Sequence, residues 1–160
     1  MYDAVIVGGG VMGLAAAYSL LKHGVKRVLV LEQHTVGHGR ASSTDTTKAI
    51  RYEYSEAEQY SVMVGRALEL WREVEVASGT TLYVNSGIVC WGYGDAPYTR
   101  NSFKTLSRLG SPIRELTPNE LCHLYPQFSV ADVSYATYNP AGGFMRASAC
   151  VQALAGVVRQ

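Results

Sequence analysis

The residues nearest the amino terminus carry the clearest chemistry. Gly8, Gly10 and Gly13 stand as G-x-G-x-x-G, and Glu32 follows 24 residues after Gly8. Gly8 permits a tight turn off a strand. Gly10 has no side chain to keep a pyrophosphate from the backbone, and Gly13 lets a helix pack closely on a sheet. The N–H groups that open such a helix, those of Val11 and Met12 among them, turn the positive end of the helix dipole toward phosphate. A carboxylate at Glu32 accepts hydrogen bonds from both ribose hydroxyls of an adenosine and repels a 2′-phosphate, which disfavours NADP. Gln33 adjoins it. Further on, Lys48 and Arg51 are cations three positions apart, suited to an anionic ligand.

The elements needed to position these groups are legible. An apolar run at residues 4–7 meets the glycine cluster, which opens an Ala/Leu-rich helical segment. Lys22 and His23 suit the negative end of that helix, and Gly24 can stop it. A second apolar run at residues 28–31 ends on Glu32. Strand, glycine turn, helix, strand and acid make a βαβ unit that binds a dinucleotide. The motif by itself fits FAD or NAD equally, and a glycine-rich turn of some other α/β domain is the plainer alternative.

Residues 33–47 are polar and without apolar period, a long loop leaving the strand tip that carries Glu32. Arg40, Ser42, Ser43, Thr44 and Thr47 are its candidate ligands for phosphate or ribityl oxygens; a solvated surface loop fits the same composition. Residues 48–54 read as a short helix capped by Thr44 or Asp45, which puts Lys48 and Arg51 on one face. An exposed basic helix face fits that spacing too. Ser55 to Glu58 spell a capping box, and Tyr60, Met63, Val64, Ala67, Leu68, Trp71 and Val74 follow at helical spacing as a core stripe. Residues 82–93 read as a β-hairpin turning at Asn85-Ser86-Gly87. A helix over 98–109, a strand over 113–116, a capped helix from Thr117 to Tyr125, a strand over 133–138, a turn over 139–143 and a final helix over 148–159 complete the chain.

Composition bounds the function. The 160 residues are 48% hydrophobic and 17% charged, with net charge +1. Neither a nucleic-acid footprint nor a polybasic membrane patch is present, and no stretch is long and apolar enough to span a bilayer. The amino terminus lacks the basic leader of a signal peptide. Cys90, Cys122 and Cys150 show no metal spacing and no disulfide framework. They read as buried structural thiols in a reducing, cytoplasmic compartment, and no metal is expected.

Several stretches together resemble one family: VIVGGGVMGLAAAYSL, the acid Glu32, GRASSTDTTKAIRYEY, the helix through ALELW, YVNSGIVCWG and YNPAGGFMRASAC. They resemble the amino-terminal part of the sarcosine-oxidase-like amine oxidases, within the wider D-amino-acid-oxidase-type FAD family. Residues 42–56 are the most specific part.

The resemblance implies an α/β fold: a Rossmann-like FAD-binding βαβ domain (1–81 and 140–160) interrupted by the start of an α+β substrate domain (82–139). Relative to the family this is incomplete. It implies FAD as cofactor, an amino acid or amine as substrate and oxygen as acceptor, with the C–N bond oxidised to an imine and hydrogen peroxide formed. It places Arg51 on the substrate carboxylate and Lys48, where the family commonly has arginine, beside the flavin ring. Alternatives are an FAD or NAD dehydrogenase of another family, or a non-catalytic nucleotide-binding fragment. Because the final helix has no strand after it, apolar surface is expected to be exposed and the chain to self-associate.

Overall fold

The computed structural model describes residues 1–159. In chain order the elements are β1 (Ala4–Val7), α1 (Val11–Lys22), β2 (Val28–Leu31), β3 (Lys48–Ile50), α2 (Glu58–Ser78), β4 (Tyr83–Val84), β5 (Ile88–Gly92), α3 (Pro97–Arg108), β6 (Arg114–Leu116), α4 (Pro118–Leu124), β7 (Tyr135–Asn139), β8 (Gly143–Met145) and α5 (Ala147–Val158). The strands form three sheets, ordered β1-β2, β3-β8-β4 and β5-β7-β6.

Two compact units result. The first comprises Met1–Lys48, Glu69–Val84 and the residues from Met145 on. Its β1 and β2 are parallel, registered Ala4↔Val28 to Val7↔Leu31, and are joined through α1 as a βαβ crossover. Ile6 faces α1, and α1 packs on α5, burying Leu14, Ala17, Val151, Leu154 and Ala155. By strand alternation Val5 and Val7 point the other way, and they stay 55% and 85% exposed. Glu75 of α2 closes the turn into β4, accepting the N–H groups of Leu82 at 2.6 Å and Tyr83 at 2.8 Å.

The second unit, Ala49–Leu68 and Asn85–Phe144, is built on the antiparallel β5-β7-β6 sheet. One face is apolar: Leu116, Ala136 and Val133 pack with Leu121 of α4, edged by Val89, Trp91 and Tyr138. The other lies under α3 and is polar, burying Thr99, Ser102 and Thr105 of the helix and Thr137 and Asn139 of β7. At α4 the capping box forms as expected. Thr117 Oγ1 accepts the Glu120 N–H, and Glu120 Oε2 accepts the Thr117 N–H at 2.8 Å.

Four local expectations are corrected. Residues 48–50 are strand and residues 51–54 carry no helix; strand pairing overrides a weak helical propensity, so Lys48 and Arg51 share no helical face, and neither Thr44 nor Asp45 caps a helix there. Ser55 has left-handed backbone, φ 54°, and α2 starts at Glu58, so no capping box forms at residues 55–58. Residues 82–93 are no hairpin, because β4 and β5 enter different sheets and β5 pairs with β7. Of the α2 stripe, Leu68 and Val74 are buried, but Tyr60 and Met63 are exposed.

Candidate functional site

Glycine geometry builds the first part of the site. A Cβ on Gly13 would lie 1.9 Å from the Gly8 carbonyl oxygen, so α1 approaches the end of β1 as closely as backbone allows. Gly8 itself turns with φ 107°, open to few residues but glycine. Gly10 is the N-cap of α1 and offers no side chain to cap it. A Cβ there would meet Ser43 Oγ at 3.2 Å. Ser43 Oγ accepts the Val11 N–H at 3.1 Å, which ties the long loop to the helix start. Met12 at that same turn is 81% exposed.

Glu32 lies directly after β2, beside this turn. Its Oε2 accepts the Gly9 N–H at 2.8 Å and its Oε1 accepts the His34 N–H at 3.0 Å. These bonds, Gly9's first and His34's second, hold the carboxyl below its ordinary range. A carboxylate has about four lone-pair sites, so capacity remains for ribose hydroxyls. The His38 imidazole stands 3.5 Å from Oε1. Gly9 and His38 carry no motif signal, since neither is one of the three spaced glycines or the acid.

The loop over residues 33–47 is ordered by turns closing at His38, Ala41 and Thr44 and is fastened from far along the chain. Ser148 donates to the Asp45 carbonyl from both N and Oγ, and Gln152 Nε2 donates to the Val36 carbonyl at 2.9 Å. Ser148 and Gln152 sit four apart on the otherwise apolar α5. That polar pair is a readable signal which the sequence reading passes over. Gly37, at φ 80°, admits Gln152 where any Cβ would lie 2.3 Å from its Nε2. Gln33, Arg40, Ser42 and Thr47 are exposed along this loop, while Thr44 Oγ1 is shielded from solvent and has no hydrogen-bond partner.

The two cations sit in different surroundings. Lys48 is exposed and pairs with Asp45 Oδ2 at 3.2 Å. Arg51 belongs to the second unit. Its guanidinium carbon lies 5.3 Å from the Tyr54 ring centroid and 5.7 Å from that of Tyr98, and its Nη1 donates to Tyr98 Oη at 2.9 Å. Close by in sequence, Glu53 is 1% exposed, and neither of its carboxylate oxygens has a hydrogen-bond partner. Of the thiols, Cys150 is buried, Cys90 half-buried and Cys122 exposed, so the expectation of three buried thiols fails at Cys122. Burial pushes both Cys90 and Cys150 up to about 11, which makes them poor nucleophiles. No group of histidine, cysteine and acidic side chains among the described residues could hold a metal ion, and no described helix is long and apolar enough to cross a membrane.

The chain has known relatives. The chain is 28% identical over 151 residues to an N-methyl-L-tryptophan oxidase of Citrobacter koseri, covering 94% of this chain and 40% of that one. It is 26% identical to the N-methyl-L-tryptophan oxidase of Yersinia pestis, covering 99% of this chain and 43% of that one. Among solved structures, L-proline dehydrogenase from P. horikoshii superposes with a TM-score of 0.82 at 24% identity, over 99% of this chain and 41% of that one. Glycine oxidase from Geobacillus kaustophilus gives 0.78 at 23% identity, over 99% and 44%. The likeness to these structures is one of fold. The chain thus spans about two fifths of the length of the relatives it matches. Residues 3–160 match the family described as "DAO: FAD dependent oxidoreductase", and the chain belongs to that family of FAD-dependent oxidoreductases.

Proposed function

We propose that this chain forms the FAD-binding amino-terminal part of an oxidase acting on secondary or primary amino acids. The residues present fit the adenosine and pyrophosphate of FAD. Gly10 brings no side chain of its own over the start of α1, Glu32 retains acceptor capacity, and the shielded, unpartnered Thr44 Oγ1 lies on the loop that leaves Glu32. Bound flavin would supply the two-electron oxidation of the C–N bond, with oxygen as the acceptor and hydrogen peroxide as its product.

The chain's own groups bind and orient. Gly8 and Gly13 shape the turn that Gly10, Val11 and Met12 present to the phosphates, with the Val11 N–H shared with Ser43 Oγ; Glu32 and Gln33 hold the adenosine end; Arg40, Ser42, Ser43, Thr44 and Thr47 line the remainder. Lys48 places positive charge where reduced flavin is anionic. Arg51 takes the substrate carboxylate through paired N–H···O bonds, a geometry lysine cannot reproduce. The imine product is hydrolysed by water.

The observation that carries the amino-acid reading is Arg51, held between Tyr54 and Tyr98. It is tested in a polypeptide of full family length that carries residues 1–160. Its absorption spectrum should show bands near about 370 and 450 nm, those of oxidised isoalloxazine. Oxygen uptake is then compared for an amino acid and its decarboxylated amine. Arg51→Ala should cost the amino acid about tenfold or more in kcat/KM and leave the amine nearly unchanged. Equal losses on both substrates overturn the carboxylate assignment.

A further inference from the structure

The segment that carries Arg51 is held by α3 through more than one residue. Tyr98 Oη donates to the Glu53 carbonyl at 2.6 Å while accepting from Arg51 Nη1 at 2.9 Å. Ser102 Oγ accepts the Ser55 N–H at 2.8 Å, and Asn101 Nδ2 donates to Glu56 Oε1 at 2.9 Å. Tyr98, Asn101 and Ser102 share one face of α3 by their spacing, and that face grips residues 51–56. Tyr98 is the second residue of the helix. Its place is set by Pro97 at the first position and by Ala96, whose left-handed backbone (φ 45°) starts the helix.

We propose that Tyr98 is a positioning residue that sets the plane in which Arg51 receives a carboxylate; the inference rests on the reading of Arg51 as carboxylate anchor. A phenol has one proton to give. Because that proton is committed to the Glu53 carbonyl, the oxygen presents lone pairs to Arg51 and can only accept. Donating also polarises the hydroxyl and strengthens the bond it accepts. The guanidinium carbon lies over the rings of Tyr54 and Tyr98 at 5.3 and 5.7 Å, where the cation is attracted to their π-electron density, while Tyr98 Oη takes one in-plane N–H of Nη1. The N–H groups that Tyr98 does not take stay in the plane that this bond fixes, where paired donors match a carboxylate's two oxygens.

The test separates the two readings. In the 160-residue chain, nitrogen-15 NMR measures rotation of the Arg51 guanidinium. Tyr98→Phe removes only the hydroxyl and should speed that rotation several-fold, with the melting temperature nearly unchanged; Tyr98→Leu also removes a ring and should speed it further. Unchanged rotation in both variants overturns the positioning role, whatever Arg51 binds. In the full-length polypeptide, Tyr98→Phe should raise KM for the amino acid and weaken binding of acetate, a carboxylate without the amine, roughly fivefold. It should leave kcat and the decarboxylated amine's KM close to wild type. Faster rotation with no change in acetate binding would uphold the Tyr98–Arg51 link and remove Arg51 as anchor. A uniform fall in kcat for both substrates would make Tyr98 merely structural and overturn the proposal.

Discussion

The Gly9 N–H and the Glu32 carboxylate are joined at 2.8 Å across the ends of two parallel strands. This bond links the glycine turn at the end of β1 to the acid at the end of β2, the two groups proposed above for phosphate and ribose. The acid is therefore fixed before any nucleotide arrives, which lowers the entropic cost of binding.

Glu32→Gln should weaken ADP binding about tenfold, because an amide offers one acceptor oxygen instead of two; isothermal titration calorimetry reads it. The same variant has a pH signature. The carboxyl of Glu32 is held below its ordinary value of 4.5 in the folded protein. Its stabilising contribution is thus complete above that value and is lost as pH falls through the folded value. Wild type should melt above Glu32→Gln near neutral pH, and the gap should close below about pH 4.5. A gap that is constant with pH would show that the charge of Glu32 has no part in the fold.

Two glycines should respond to alanine with opposite signs. Gly13→Ala places a methyl 1.9 Å from a backbone oxygen that cannot move aside, and should cost about 3 kcal/mol or more. Gly156 lies inside α5 with open space around its Cβ position, so Gly156→Ala should stabilise by about 0.5–1 kcal/mol. Thermal melts of both variants check the pair.

Lys48→Met should change stability by less than about 0.5 kcal/mol, since its ion pair with Asp45 is solvent-exposed. In the full-length polypeptide it should make the flavin harder to reduce, read as a more negative reduction potential. An unchanged potential places Lys48 away from the ring.

The apolar surface expected on the final helix lies elsewhere. α5 buries Val151, Leu154 and Ala155, whereas Val5 and Val7 project from the open face of β1. Parallel sheets are ordinarily covered on both faces. The 160-residue chain should self-associate with increasing concentration, and Val7→Thr should reduce it. Sedimentation velocity showing a monomer across the concentration range would count against this.

By itself the sequence determined the parts whose physics is local. The βαβ unit was legible because its strands, glycine turn and acid lie within residues 4–32 and each has a steric or electrostatic reason for its residue type. The box at Thr117 was legible for the same reason: both of its bonds span three residues. The tertiary structure decided what depends on distant partners. Residues 48–50 became strand because β8 pairs with them, and β4 and β5 parted because β5 found β7, 51 residues away at Ile88↔Asn139 as against a near neighbour at β4. The cofactor loop took its form from Ser148 and Gln152, more than a hundred residues along the chain. The hold of Tyr98 on Arg51 has the same origin: a hydrogen bond between residues 47 apart exists only once α3 has docked, and no periodicity in either segment encodes it.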